Sequence, residues 1–459
     1  LSVPSQQSEL KIAYYGDDFT GSTDAMECLA TAGMRTRLFL DPPTTHQLAA
    51  MPGLDAIGVA GRSRALPTSE LDAEVRPVLT ALRELNPRHV HYKVCSTFDS
   101  SPEIGSIGRV IDIAAGVFDS PFVPLVVGAP LLGRWCVFGN LFAEVGIGSG
   151  GEVHRLDRHP AMRQHPTTPA DESDLRRHLA RQTDKAIGLF DMRKLDLPRP
   201  EAAKALGDLL RTGPSIVLFD ALTERHIETI GRLIDAYADN SSPCFSVGSS
   251  SIETALAAQW GPTSNRIGTV SRAENALCGP VVVASGSRSP VAAQQIDFAL
   301  THGFVEAPMN APRLMCKQSA EGEINRVIDV AVAGLQAGRS VIVHTTRGPH
   351  AEGDGVSPRE GGVASTLGGA LGTVLAGCVS RICVRRACLA GGDSSSYAAR
   401  AMGITSLEMI ESQSRGAPLC RVWASRAGVD GLEMAFKGGQ VGRPDYFVTF
   451  AQGAPAEED

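Results

Sequence analysis

Residues 11–33 read KIAYYGDDFTGSTDAMECLATAG, and this stretch decides the fold. Lys11–Tyr15 is a short apolar run. Gly16-Asp17-Asp18-Phe19-Thr20-Gly21 is a polar turn, and the segment from there to Ala32 has helical spacing that Gly33 stops. A strand that feeds a helix through a short polar loop is the unit of a parallel α/β sheet, whose ligands collect at the carboxyl ends of the strands. The unit recurs. Asp55–Ala60 runs into Gly61-Arg62-Ser63-Arg64, His89–Val94 into Cys95-Ser96-Thr97, and Pro124–Val127 into Gly128–Arg134.

After about residue 150 the pattern loosens. Gly148–Gly151 is glycine-rich, three prolines interrupt His159–Pro169, and Asp171–Arg181 reads as a charged helix. Strand-like runs resume at Ile187–Phe190, Ser215–Phe219 and Pro243–Val247, the last entering Gly248-Ser249-Ser250-Ser251 and a helix. Trp260–Gly279 is weakly periodic and carries Gly-Pro, Asn and Ser, so a domain boundary is expected there. The expected domains are 1–270 and 271–459, both α/β with mainly parallel sheets and with an active-site cleft between them. Beyond the boundary the rhythm restarts. Val281–Ala284 leads into Ser285-Gly286-Ser287-Arg288-Ser289 and a helix from Pro290, and Ser340–His344 is a further strand. Arg386–Ala390 opens into Gly391-Gly392-Asp393-Ser394-Ser395-Ser396 and a helix that Gly403 ends. Gly353–Gly362 reads as a mobile glycine-rich loop and Ala451–Asp459 as a disordered acidic tail.

The 459 residues carry 43 Lys and Arg against 50 Asp and Glu, a formal charge of −7. That balance excludes a basic duplex-binding surface, and an aromatic content of 5% argues against a base-stacking platform, so no nucleic-acid partner is expected. A local basic pocket for a small anion remains compatible with it. No apolar run reaches the roughly 18 residues of a membrane helix, and Leu1–Glu9 lacks the layout of a signal peptide. The ten cysteines are scattered, which suits reduced thiols and a cytoplasmic enzyme.

Three strand–loop–helix junctions, Gly248–Ser251, Ser285–Ser289 and Gly391–Ser396, could offer backbone N–H groups and a helix dipole to a phosphate. Taken alone, each is more often an ordinary serine N-cap; two of them in the C-terminal domain favour a nucleotide. No Gly-x-x-x-x-Gly-Lys-[Ser/Thr] loop is present, and no Gly-x-Gly-x-x-Gly joins a strand to a helix, which counts against a P-loop ATPase and dinucleotide redox chemistry. Asp17 and Asp18 could orient a hydroxyl, accept its proton or hold a metal; the alternative is a capped helix. Arg62, Arg64 and Lys93 close the next two strands and would face the acids if those strands neighbour the first; the forked guanidinium suits a substrate carboxylate. His89 and His91 share one face of their strand, and Cys378, Cys383 and Cys388 lie five apart; both sets read as packing rather than metal binding.

Gly16-Asp17-Asp18-Phe19-Thr20-Gly21, taken with Gly391-Gly392-Asp393-Ser394, resembles the four-carbon acid sugar kinase family over nearly the whole length. Further resemblances follow in order: Ser63-Arg64, Lys93 through Ser96-Thr97, Gly133-Arg134, His165-Pro166 through Ser173, Ser285-Gly286-Ser287, Gly416-Ala417-Pro418, and Lys437-Gly438-Gly439 with Gly442. The resemblance implies ATP-dependent phosphorylation of a small acid sugar, with an N-terminal sugar-acid domain and a C-terminal nucleotide domain. It makes Asp17 and Asp18 the catalytic acids. Thr20, Arg62, Arg64, Lys93, Ser96, Thr97 and Arg134 become acceptor-binding residues. Ser285, Ser287, Ser289, Gly391, Gly392, Asp393, Ser394, Gly439 and Gly442 become the ATP cradle, with Mg²⁺ on the phosphates and Asp393 as its ligand. A homodimer is a candidate assembly.

Where many members read Asp-Ser-Thr-Leu-Arg-Gly, this chain has Cys95-Ser96-Thr97-Phe98-Asp99-Ser100, and it looks like the branch acting on oxo acids. Branched 3-oxo-isoapionate then stands beside 3-oxo-tetronate as a candidate acceptor. Two other classes of function fit the same pocket: a non-catalytic two-lobed sensor of an anionic metabolite, and a nicotinamide-dependent oxidoreductase of acid sugars.

Overall fold

A computed structural model describes residues 10–145, 151–165, 167–238, 242–261, 279–348, 362–414 and 416–453. The chain divides into two compact units, Leu1–Gly268 and Thr269–Asp459.

Unit 1 has eleven strands among its described residues: β1 (Ile12–Gly16), β2 (Thr36–Phe39), β3 (Ala56–Ala60), β4 (His89–Lys93), β5 (Val123–Val126), β6 (Arg134–Val137), β7 (Asn140–Glu144), β8 (Val153–Arg155), β9 (Ile187–Phe190), β10 (Ile216–Phe219) and β11 (Cys244–Gly248). Eight of them form a parallel sheet in the order β2-β3-β1-β4-β11-β5-β10-β9. β1, β3, β4 and β11 are buried at every position, the apolar runs a sheet covered on both faces requires. The chain first leaves β1 toward β3 and later returns to its other side at β4. The carboxyl end of β1 is therefore the topological switch point, where open α/β sheets place their ligands. In-register pairing sets Gly16 level with Ala60 and Lys93, and Lys93 level with Gly248, so the following loops share one sheet edge.

Unit 2 adds β12 (Val282–Ser285), β13 (Val305–Pro308), β14 (Val341–His344), β15 (Arg386–Ala390), β16 (Ile404–Ser412), β17 (Pro418–Ala424) and β18 (Glu433–Lys437), in the order β13-β14-β12-β15-β18-β17-β16. The first five are parallel, and β17 and β16 extend the sheet antiparallel. β12 repeats the part of β1, flanked by β14 on one side and β15 on the other. Ser285, Ala390 and Lys437 lie level at the carboxyl ends of β12, β15 and β18.

Several expectations need correcting. The charged segment 171–181 is helical only over Leu175–Leu179, because Asp174 caps the first turn from inside it. An antiparallel sheet of β6, β7 and β8 fills the region where periodicity loosened. Among the described residues the helix Val363–Arg381 is long and apolar enough to cross a membrane, yet 61% of its apolar stretch is buried within the fold; Gly, Ala, Ser and Thr are interleaved among its larger residues, so no unbroken run of large apolar side chains marks it in the sequence. Of the three spaced cysteines, Cys378 and Cys388 are buried but Cys383 is exposed; the nine described cysteines are all free thiols. Tyr446–Gln452 is a helix, so the tail stays ordered through Ala451 and Gln452, pinned by buried Phe447 and Phe450. The glycine-rich stretches at 148–150 and 353–361 and the boundary segment 262–278 lie outside the described residues.

Candidate active site

At the switch point of unit 1 the acids that follow β1 lie in different surroundings. Asp18 is the N-cap of the helix Phe19–Thr31: its Oδ1 accepts from the Gly21 amide at 2.8 Å, and its Oδ2 accepts from Thr20 Oγ1 at 2.8 Å. Arg64 Nη2 closes on the same Oδ2 at 2.6 Å. Capping and ion pairing are both real here, so the two readings of this acid coincide. Burial works against its charge, but Arg64, Lys93 and these hydrogen bonds outweigh it and hold Asp18 below the usual carboxylate range. A Cβ at position 21 would sit 2.5 Å from Asp18 Oδ1 and 3.0 Å from Lys93 Nζ, which is why glycine stands there.

Asp17 is 2% exposed, and its Oδ1 is buried without a hydrogen-bond partner. Burial pushes its carboxyl up to about 7; Arg64 and Lys93 pull it down, while Asp18 and Asp99 push it further up. Its backbone stitches the edge together: its N–H donates to Lys93 O at 2.8 Å, and its carbonyl accepts from the Arg64 N–H at 3.1 Å. Lys93 is 2% exposed and reaches Asp24 Oδ2 at 3.4 Å. Burial opposes its charge, yet Asp24, Asp17 and Asp18 together hold it above the usual lysine range. Asp24 escaped the sequence reading; it lies four residues after Thr20 on the same helix, a spacing that places both on one face.

The structure thus brings Asp17, Asp18, Thr20, Arg64 and Lys93 together. Ser96 and Thr97 continue from β4 on the same edge, and Thr97 Oγ1 lies 2.9 Å from Cys95 Sγ. Burial pushes the Cys95 thiol up to about 12, with Asp99 adding to it. Arg134 is 7% exposed; its Nη1 donates to the carbonyls of Leu132, Gly133 and Glu144, and it shares an electrostatic field with Cys95 and Asp99. Arg62 points elsewhere, forking the carboxylate of Glu74 at 3.0 and 3.1 Å on the exposed side. His89 and His91 are fully buried packing residues, paired with Asp235 and Glu253 respectively. Ser249 and Ser251, both buried, close the neighbouring loop, and Ser251 Oγ donates to Gly128 O.

In unit 2, three loops share the edge at β12, β15 and β18. Ser287 Oγ accepts from the Ser289 N–H at 3.2 Å, and Ser289 Oγ accepts from the Val291 N–H at 3.1 Å, capping the helix Pro290–Thr301. Each of these hydroxyls accepts one backbone donor and keeps its own hydrogen to give. Ser285 is fully buried beneath them. The Ser394 hydroxyl packs against Gly286 and Gly391, and the helix Asp393–Ala401 starts there with Gly392 as its cap. A methyl group on Gly439 would overlap Ser287 Oγ, so this glycine lies directly on the serine staircase. Gln295, fully buried, spans the carbonyls of Val441, Gly442 and Arg443 at 2.9–3.0 Å and fixes the Gly442 turn. Lys437 ends β18 just before the Gly438-Gly439 turn, and its place at this edge was not legible in the sequence. It is fully buried with Nζ 3.0 Å from Gly438 O, and burial pulls its amine down to about 8. The side chain of Asp393 lies outside the described residues. Among the described residues no group of three or more His, Cys, Asp or Glu is placed to hold a metal.

Two family models match the chain: a sugar-binding N-terminal domain over residues 12–256 and a nucleotide-binding C-terminal domain over 282–447. The chain is 41% identical over 453 residues to a 3-oxo-isoapionate kinase of Paraburkholderia graminis, covering 97% of this chain and 94% of that protein. It is 28% identical over 443 residues to a 3-oxo-tetronate kinase of Salmonella typhimurium, covering 96% and 98%. A solved Salmonella typhimurium LT2 structure, provisionally described as a tRNA synthase, superposes with a TM-score of 0.75 at 28% identity, over 96% of this chain and 98% of the other. Matched along nearly its whole length in both units, the chain belongs to the four-carbon acid sugar kinase family.

Proposed function

We propose that this protein is an ATP-dependent kinase that phosphorylates a hydroxyl of a small oxo acid sugar, with 3-oxo-isoapionate as the first candidate and 3-oxo-tetronate as the second. The observation that carries the reading is Asp17: a buried carboxylate with an unpartnered oxygen, poised near neutrality at the switch point of a sugar-binding fold. Asp17 Oδ1 takes the proton of the acceptor hydroxyl as its oxygen bonds to the terminal phosphorus and the bond to the β-phosphate oxygen breaks, releasing ADP. Asp18, ionised and fixed at both oxygens, orients the acceptor. Arg64, with its forked guanidinium, and Lys93 bind the substrate carboxylate. Ser96, Thr97 and Arg134 line the acceptor pocket.

Ser285, Ser287, Ser289, Gly391, Gly392, Ser394, Gly439 and Gly442 hold ATP through hydroxyls, amides and helix N-termini. Mg²⁺ would supply charge neutralisation on the transferring phosphoryl group, and Asp393 is the carboxylate we assign to hold it. A cytoplasmic setting supplies the ATP. The test is ATP consumption with Mg²⁺ over linear and branched four- and five-carbon acid sugars and their 3-oxo forms. Turnover is expected to be fastest on 3-oxo-isoapionate, and silence across the panel removes the kinase reading.

A further inference from the structure

The loop between β4 and the helix Ile107–Ala115 carries a side chain that the reaction above leaves unused. Phe98, neither glycine nor Asn, adopts φ +57, a left-handed conformation that a bulky residue keeps only when its surroundings enforce it. The enforcement is visible. Phe98 N–H donates to Cys95 O at 2.9 Å, and Ser100 Oγ donates back to Phe98 O at 3.1 Å. Ser100 is in turn held by His178 Nε2 at 3.0 Å and Gln182 Nε2 at 2.9 Å, and the His178 ring meets Phe98 edge-on at 5.7 Å. A braced and strained turn of this kind aims one residue, Asp99, whose Oδ1 is buried and accepts no hydrogen bond. Asp99 lines a small cavity with Thr97, Leu156, Thr168 and His178, and its charge is felt by Asp17, Cys95 and Arg134. Arg134, bound through Nη1 to three carbonyls, leaves its Nε buried and unpartnered within that same field.

The geometry points to Asp99 as the specificity-determining residue that accepts a hydroxyl of the substrate at the end remote from its carboxylate, and so excludes diacids. This rests on the acid-sugar reading. A hydroxyl can donate to Asp99 Oδ1 and so satisfy that orphaned acceptor. A second carboxylate brings acceptors alone: it would leave Asp99 unpaired and face it with a like charge. Sites built to hydrogen-bond a substrate group reject an analogue that strands them far more strongly than an apolar pocket rejects a wrong shape.

The matched ligands are threonate and tartrate, which differ by a terminal hydroxymethyl against a carboxylate. Calorimetric titration of the full-length protein with each, for wild type, Asp99→Asn and Asp99→Ser, reads the selectivity without requiring turnover. Wild type is expected to bind threonate at least about tenfold more tightly than tartrate, and both variants to narrow that ratio by about tenfold as tartrate gains and threonate loses. ATP binding, measured in parallel, is expected to stay unchanged and certifies the fold of each variant. Equal affinity of wild type for the two acids, no binding of either, or a ratio unmoved in a variant that still binds ATP overturns the assignment. A protein that discriminates as expected yet phosphorylates no acid sugar refutes the kinase reading while leaving Asp99's role standing.

Discussion

Two adjacent carboxylates, Asp17 and Asp18, share the same cations and are driven in opposite directions, because only Asp18 has hydrogen bonds to its charged form. For a base poised near 7, kcat/KM should climb as pH rises through about 7 and level above it, as Asp17 loses its proton. Asp17→Asn should abolish that ionisation and lower kcat by roughly 10²–10⁴-fold with ATP affinity intact. A steady-state pH profile of both proteins checks this; a surviving pH 7 limb in the variant assigns the proton to another group. The same shift has a sign in stability. The unfolded chain releases this proton near 3.8 and the folded chain only near 7, so the folded state binds more protons between those values. Asp17 therefore favours folding fully below about 4 and loses that contribution as pH rises toward 7, a slope that Asp17→Asn should flatten in urea titrations. Which of two neighbouring acids would stay protonated was not legible in the sequence, because it depends on burial and on Arg64, 46 positions downstream of Asp18.

At the scale of elements, the strand-end loops were readable because they carry their own punctuation: glycine, serine and a capping residue between an apolar run and a helix. Ser289 before Pro290 and Asp18 before Phe19 fall at the helix starts as expected. β6, β7 and β8 were not readable, since their alternation is short and the third strand has only three residues. Arg62 shows the limit of position without orientation: it follows β3 on the correct edge, yet its fork finds Glu74 on the helix Leu71–Glu84. The contact of Gly439 with the Ser287 hydroxyl makes a sharp prediction. Gly439→Ala must displace Ser287, and we expect nucleotide affinity to fall by about tenfold or more, the loss of one charge-assisted hydrogen bond, while acid-sugar binding is retained. Titration with a non-hydrolysable ATP analogue decides it; unaltered affinity would remove this loop from the cradle.

At the scale of the whole molecule, each unit contributes a run of parallel strands, extended in the second by two antiparallel ones, and in each the first strand of the run becomes a switch point with a polar loop at its carboxyl end. Two half-chemistries on two sheets predict separable footprints. Hydrogen exchange with the ATP analogue should slow amides at 285–289, 391–396 and 438–442, and exchange with an acid sugar should slow those at 16–21, 61–64 and 94–100. An ATP analogue that protects only the second set reverses the allocation of roles.

The turn from Cys95 to Ser100 adds no rung to the β4 ladder, and its unusual backbone is held by Ser100, His178 and Gln182 rather than by the side chains of Thr97 and Asp99. Positions 97 and 99 can consequently be rewritten while the scaffold beneath them is untouched. If Asp99 sets the acceptor as proposed, a change of acceptor needs only a few substitutions on this stiff turn, with Asp17 and Asp18 left as they stand.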